Sequence, residues 1–368
     1  MIKARKKCSF SSQKIKILMN YRACWLTLNR ACNLRCKWCY AASTGFSAKD
    51  DMPPELAKQI IDICVDLKIT KIILIGGEPT VYPHLFDIID YCHSRGIRCG
   101  IVTNGLACER FDFAKKLKEH GISSLSVSLK GENTEVFKDI TGVDAFERTK
   151  QAITNCLNNG ISVGISMVLT EDNIRSYLDG VKEMKALGVD RFHFSFCYEF
   201  DISMDHSRYL RKHNPRKLAL SFMNSFPELD RITGHHFTFQ NGLPLCAFED
   251  SEVETLKNSK NVSTICQLLA KNGLLFDPKG YLIPCNAMHE VKLGQLNKDF
   301  SNSSELLEFV GTDEIKKTYA KLCGVPDVEC LSCKKLSFCG GGCVCQWTNY
   351  NYKEFRESLA KETTAKNN

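Results

Sequence analysis

Apolar positions in the first half of the chain alternate between two rhythms. Short runs rich in β-branched and aromatic residues, at Cys24–Leu28, Lys71–Ile75, Cys99–Val102, Ser124–Leu129, Ser162–Leu169 and Arg191–Phe196, read as strands. Between them, Pro54–Leu67, Leu85–Arg95, Phe111–His120, Ala145–Asn159 and Asn173–Leu187 carry apolar residues three and four positions apart, the period of a helix buried on one face. Gly96, Gly121, Gly160 and Gly188 follow the last helical turns, where a left-handed residue closes the helix.

Six strands alternating with five helices predict an α/β fold: a partial (β/α)6 barrel, or an open sheet, of parallel strands joined by right-handed crossovers. Such sheets bind ligands at the carboxyl ends of their strands. Cys32, Cys36 and Cys39 follow the first strand, Gly76–Pro79 the second and Asn104 the third, and Ser128 lies near the end of the fourth.

This alternation occupies residues 23–198, after a basic arm over 1–22. Residues 199–245 form a connecting segment with a helix near Pro215–Phe226, residues 246–350 are turn-rich and dense in cysteine, and residues 351–368 form a polar tail. Low apolar periodicity with many cysteines predicts a small C-terminal domain stapled by metal clusters rather than by a core of its own.

Composition sharpens this picture at cysteine. The chain has 368 residues and 20 cysteines, with 43% hydrophobic and 25% charged positions, which excludes wholesale disorder. The N-terminus lacks the apolar run of a signal peptide, and no stretch of eighteen apolar residues occurs. The expectation is a cytoplasmic protein with no membrane partner, whose clustered cysteines are metal ligands rather than disulfides. The net charge of +7 owes much to Lys3, Arg5, Lys6, Lys7, Lys14 and Lys16. With Phe10 as the only aromatic among them, this arm reads as solvated, and a nucleic-acid partner is not expected.

Cys32, Cys36 and Cys39 form a C-x3-C-x2-C run. Three thiolates on one loop can hold three corners of a cubane and leave one iron open, although zinc also takes thiolates and usually recruits a fourth ligand. The segment GGEPT, Gly76–Thr80, follows the second strand; its glycines allow close backbone approach, and Glu78 offers a carboxylate to an ammonium group.

On these two motifs the chain resembles the radical S-adenosylmethionine (SAM) superfamily, over roughly residues 20–200. The resemblance implies a catalytic [4Fe-4S] cluster on Cys32, Cys36 and Cys39, with SAM chelated to the open iron. It implies that Gly76, Gly77, Glu78 and Pro79 hold the SAM ammonium, that Trp38 lies near the adenine, and that Asn104 and Ser128 contact the ribose or methionine moiety. The implied reaction is reductive cleavage of SAM to a 5′-deoxyadenosyl radical, which abstracts hydrogen from a substrate.

Further on, Cys266, Gly280 and Cys285 read C-x13-G-x4-C, and Cys330, Cys333, Cys339 and Cys343 read C-x2-C-x5-C-x3-C. A zinc ribbon is the alternative reading of these pairs. The pattern resembles the SPASM domain, which implies one or two auxiliary [4Fe-4S] clusters. The first would use Cys266, Cys285 and Cys343, the second Cys330, Cys333 and Cys339. The chain departs from that pattern in lacking a cysteine a dozen or more residues beyond Cys343. Cys345 or Cys323 is expected to be the fourth ligand of the second cluster, and Cys246 that of the first. Cys8, Cys24, Cys64, Cys92, Cys99, Cys108, Cys156 and Cys197 stand singly and read mostly as small buried hydrophobes. His235 and His236 read as adjacent strand residues on opposite faces, and not as a metal pair.

The resemblance implies oxidative modification of a peptide or protein, such as a crosslink or thioether. It also implies an electron donor such as flavodoxin or ferredoxin. Many peptide-modifying members carry an N-terminal leader-binding domain, and only 23 residues precede the first strand here; this weakens the leader-peptide reading without removing it, since a separate peptide-recognition protein can take that part. Asn286 stands where sulfatase-maturing relatives tend to place an aspartate, which argues against that activity. Asp277, His289 and Glu290 are the nearby candidate bases. The alternatives are a radical SAM enzyme acting on a small metabolite such as a sugar or nucleoside, and a non-catalytic iron–sulfur or zinc scaffold. The Cys32/Cys36/Cys39 loop together with GGEPT argues against the scaffold.

Overall fold

The computed structural model describes residues 21–197 and 215–345. The expected arm up to residue 20 and the tail over 351–368 lie outside them.

Strands β1 (Ala23–Thr27), β2 (Lys71–Ile75), β3 (Arg98–Thr103), β4 (Ser124–Ser128), β5 (Ser162–Leu169) and β6 (Arg191–Phe196) fall within one or two residues of the expected runs. Each pairs in parallel with the next. Helices α1 (Pro54–Asp66), α2 (Leu85–Ser94) and α3 (Phe111–Glu119) make the first crossovers. Their apolar stripes, including Ile60, Ile61, Ile88, Ile89 and Leu117, are buried with Leu26, Leu74 and Ile101 of the sheet in one core. At about 1.5–3 kcal/mol for each fully buried large apolar side chain, this core fixes the strand ends that carry the site.

A short helix α4 (Thr134–Thr141) lies between β4 and the longer crossover helix α5 (Phe146–Asn158); α6 (Tyr177–Ala186) completes the expected set. The Asn133 side chain accepts the Val136 N–H at the start of α4, and Gly142 closes it at φ +75°. Eight residues hold too few repeats for the helical period to stand out in the sequence.

Beyond β6 the parallel array is longer than six strands. Helix α7 (Pro215–Thr233) does not stop at Phe226 but runs through Pro227. Proline removes one backbone donor there, while Phe222, Phe226 and Leu229 keep one buried face on both sides of it. Phe222 stacks on Phe239 with ring centroids 4.1 Å apart. Strands β7 (Phe237–Gln240) and β8 (Val262–Ser263) then add in parallel beyond β6. His235 and His236 lie in the turn before β7 and not on a strand: His235 has φ +66° and its Nδ1 meets Asp230 at 2.7 Å.

In the cysteine-rich region, β9 (Gly273–Phe276) pairs in parallel with β1, on the side away from β2. Strands β10 (Tyr281–Leu282) and β11 (Gly294–Gln295) continue antiparallel. The order is β11-β10-β9-β1-β2-β3-β4-β5-β6-β7-β8, an open-ended sheet dominated by parallel strands. Among the described residues no helix is long and apolar enough to cross a membrane.

Candidate active site

The loop after β1 crosses directly over the turn after β2. Gly77 donates its N–H to Asn29 O (3.0 Å), Glu78 donates to Ala31 O (2.7 Å), and Asn29 Nδ2 donates back to Glu78 O (3.0 Å). A Cβ at Gly76 would stand 2.1 Å from Asn29 Oδ1, and one at Gly77 2.2 Å from Ala31 O. The two glycines therefore admit the cysteine loop itself.

Glu78 is only 1% exposed. Its Oε1 accepts the Thr80 N–H (3.0 Å), the Thr80 hydroxyl (2.7 Å) and the Thr103 hydroxyl (2.6 Å), and its Oε2 accepts the Asn104 N–H (2.7 Å). Three of these donors fall on Oε1 and one on Oε2, so the carboxylate braces the turn and the next strand end while Oε2 keeps one acceptor position. Asn104 is likewise engaged, donating from Nδ2 to Asn33 Oδ1 (2.7 Å) and accepting the Leu106 N–H (3.0 Å). Pro79 is buried at the start of a single 3-10 turn, and Ser128 is half-buried at the end of β4.

The loop is tethered on its other side by α4. Arg35 and Lys37 donate their N–H groups to Thr141 O (3.1 Å) and Ile140 O (3.0 Å), and the Lys37 ammonium meets Asp139 at 2.7 Å. Trp38 is buried against Ile140, with Val136, Val168 and Cys197 around it. Asn29, Asn33, Thr103 and α4 are the supporting parts that sequence reasoning missed.

Cys32, Cys36 and Cys39 lie within electrostatic reach of one another. Burial pushes the Cys32 thiol up to about 11, with Glu78, Cys36 and Cys39 adding to it and the Leu34 N–H, 3.4 Å from Sγ, opposing it. Burial and Cys36 push Cys39 up, against the Ala41 N–H, Lys130 and Arg30. Arg30 is 4% exposed, and its Nη1 is buried without a hydrogen-bond partner among the described residues. Three thiols on a closed loop beside an unsatisfied buried cation suit an anionic thiolate-held cluster.

The remaining cysteines form two groups. Cys266 feels Cys285 and Cys343, and the Cys345 thiol bonds to both Cys285 and Cys343. That contact holds Cys285 down to about 7, against burial and with help from the N–H groups of Ala287, Met288 and Asn286. Cys323 packs beside this group on the small core of Leu268, Met288 and Val344, its thiol 3.8 Å from Leu268 O. In the second group, Cys330 and Cys333 act on Cys339, whose Sγ accepts the Leu245 N–H at 3.3 Å. Cys246 joins these three around a cavity of about 460 Å³. The expected fourth positions are thus exchanged: Cys345 stands with the first group and Cys246 with the second. Chain geometry is the reason, because Cys345 lies two residues past Cys343 while the loop before Cys246 is pressed onto the Cys339–Cys343 turn. Among the described residues, no three His, Cys, Asp or Glu side chains are gathered tightly enough for a single metal ion.

Tyr40, next to Cys39 in the loop, has its hydroxyl 3.5 Å from Gly76 O and within electrostatic reach of Cys39, Cys285 and Cys32. Nearby, Ser43 Oγ meets His289 Nε2 at 3.1 Å. The Asn286 Oδ1 and His289 Nδ1 atoms are buried without partners among the described residues. Asp277 is spoken for, accepting from the N–H groups of Lys279 and Tyr281 (2.9 Å each) and pairing with Lys292 at 2.5 Å. Glu290 is exposed.

Residues 26–179 match the model of the radical SAM superfamily. The chain is 31% identical over 192 residues to an Fe-coproporphyrin III synthase of Methanosarcina barkeri, covering 49% of this chain and 47% of that protein. It is 28% identical over 170 residues to a probable GTP 3′,8-cyclase of Metallosphaera sedula, covering 46% and 53%. The chain thus spans about half the length of the curated relatives it matches. Among solved structures, Streptococcus suis SuiB bound to precursor peptide SuiA matches with a TM-score of 0.67 at 19% identity, over 88% of this chain and 72% of that one. Native anSMEcpe with bound AdoMet matches with a TM-score of 0.66 at 17% identity, over 94% and 97%. These two show the fold, through the cysteine-rich region as well as the core. Residues 26–179 thus form a radical SAM domain, and the fold of the chain, its cysteine-rich region included, is like that of SuiB and anSMEcpe.

Proposed function

We propose that this chain is a peptide- or protein-modifying radical SAM enzyme whose product is oxidised relative to its substrate. Cys32, Cys36 and Cys39 would hold the [4Fe-4S] cluster, which with SAM supplies reductive carbon–sulfur cleavage and a 5′-deoxyadenosyl radical for hydrogen abstraction. The residues around them position and shield. Glu78 braces the turn beneath the loop, the Asn33–Asn104 pair and Ser128 border the strand ends where SAM would lie, and Trp38 walls that space toward α4.

One observation carries the oxidative part: Tyr40 lies within reach of cysteines from both the catalytic loop and the first auxiliary group. An auxiliary cluster on that group would be placed to take the electron that a substrate radical must lose. The peptide part is supported by the fold, which follows SuiB with its precursor peptide, and anSMEcpe with a bound peptide, over 88% and 94% of this chain. A small-metabolite substrate is the second reading, favoured by curated relatives named as a GTP cyclase and a haem synthase. The electron donor would be a flavodoxin or ferredoxin, and a separate protein would deliver the peptide, in a reducing compartment such as the cytoplasm.

The test is deuterium transfer. Anaerobically reconstituted enzyme with SAM and dithionite is offered deuterated peptides, nucleotides and sugars, and 5′-deoxyadenosine is analysed by mass spectrometry. Label arriving from a peptide supports the proposal; label arriving only from a small metabolite replaces it with the second reading.

A further inference from the structure

We infer that Cys246 is the fourth protein ligand of the second auxiliary cluster, completing Cys330, Cys333 and Cys339, while Cys345 completes Cys266, Cys285 and Cys343. This rests on the reading above that the cysteine-rich region holds two clusters, and goes beyond it in assigning a ligand from a loop that precedes the cysteine-rich motif.

Three observations place Cys246 there. It lines the same cavity of about 460 Å³ as Cys330, Cys333 and Cys339. Its neighbour Leu245 donates its N–H to Cys339 Sγ at 3.3 Å, so the backbone entering Cys246 already touches the group. The loop is also held in register: Cys343 donates its N–H to Gly242 O at 2.8 Å, and a Cβ at Gly342 would stand 2.9 Å from Pro244 N. Gly340, Gly341 and Gly342 all take positive φ, of 61°, 86° and 83°, wrapping the chain around that contact.

The other cysteines are committed elsewhere. Cys24 pairs with Cys64, Cys92 with Cys99 and Cys108 with Cys156 in hydrogen-bonded thiol pairs. Cys197 packs near Trp38. Cys323 bonds Leu268 O beside the first group, and Cys345 bonds Cys285 and Cys343 within it. Cys8 lies outside the described residues. Glu329 also lines the cavity, so its carboxylate is the competing donor. Four thiolates on each cubane leave no iron open to substrate, which suits both clusters to passing electrons.

The test uses the full chain with Cys32, Cys36 and Cys39 replaced by alanine, so that only auxiliary clusters assemble. After anaerobic reconstitution this parent should hold about eight irons and resist mild ferricyanide oxidation. Adding Cys246→Ala should yield, on the same oxidation, a [3Fe-4S] electron paramagnetic resonance signal and loss of about one iron. Glu329→Gln should behave as the parent. Should Cys246→Ala fail to fold by circular dichroism, Cys246→Ser, which keeps an oxygen donor, should retain iron with a changed spectrum of the reduced cluster. An unchanged serine spectrum, an oxidation-resistant Cys246→Ala protein, or a [3Fe-4S] signal from Glu329→Gln overturns the assignment. A parent that binds no iron overturns instead the auxiliary-cluster reading on which it rests.

Discussion

The carboxylate of Glu78, in the turn after β2, accepts the backbone N–H of Asn104 at the end of β3 at 2.7 Å. With Thr80 and Thr103 on the other oxygen, this ties two neighbouring strand ends under the cysteine loop. Glu78→Gln would point an amide NH2 at one of these donors. The expected cost is about 2–3 kcal/mol of stability, since a buried charge-assisted acceptor is lost and a donor left unpaired. Chemical denaturation of the apo-protein measures it. A variant of wild-type stability that has lost only SAM affinity by calorimetry would make Glu78 a ligand instead of a brace.

Gly77→Ala should act on the cysteine loop. Its Cβ would stand 2.2–2.3 Å from the carbonyl oxygens of Ala31 and Arg30, which are backbone atoms and cannot swing aside. Overpacking of this kind costs about 1–3 kcal/mol. The reconstituted variant should lose about four irons and SAM cleavage together while keeping its auxiliary iron. Full iron content would show that the loop accommodates the methyl group.

Replacing Cys32, Cys36 and Cys39 together by alanine should remove about four irons and abolish 5′-deoxyadenosine formation. Cleavage that survives in the triple variant would place the reactive cluster elsewhere.

The double variant Cys330→Ala/Cys333→Ala should still form 5′-deoxyadenosine from SAM and dithionite but make little product. Neither residue lies in the catalytic loop or in β9, so the sheet should persist, as circular dichroism would verify. Turnover of substrate at the wild-type rate would remove that cluster from the electron path.

Sequence periodicity located what is local. The six strands β1 to β6 and both cysteine motifs could be read because each is a short run with its own pattern. Three features depend on distant partners and could not be. The bracing of Glu78 needs Thr103 and Asn104 at the end of the next strand. The exchange of Cys246 and Cys345 depends on a loop at 242–246 meeting a turn at 339–343. The two-residue strand β8 and the four-residue strands β7 and β9 are defined by their pairings, not by any period of their own. Pro227 misled in the opposite sense: its helix-breaking tendency is outweighed by buried Phe222, Phe226 and Leu229.

The parallel pairing of Ala23 with Gly273 sets the order in which the protein can be finished on the ribosome. Strand β1 leads directly into the catalytic cysteine loop, yet one of its edges stays bare until about 250 further residues have been made. At roughly 5–20 residues per second, that is tens of seconds with an unpaired apolar edge in a crowded cell. A fragment ending before Gly273 keeps that edge permanently and should aggregate on expression, whereas full-length chains would gain from a chaperone able to hold β1 until β9 arrives. Iron insertion at Cys32, Cys36 and Cys39 then belongs after β9 has docked, because the strand supporting the loop is not clamped on both sides before that point.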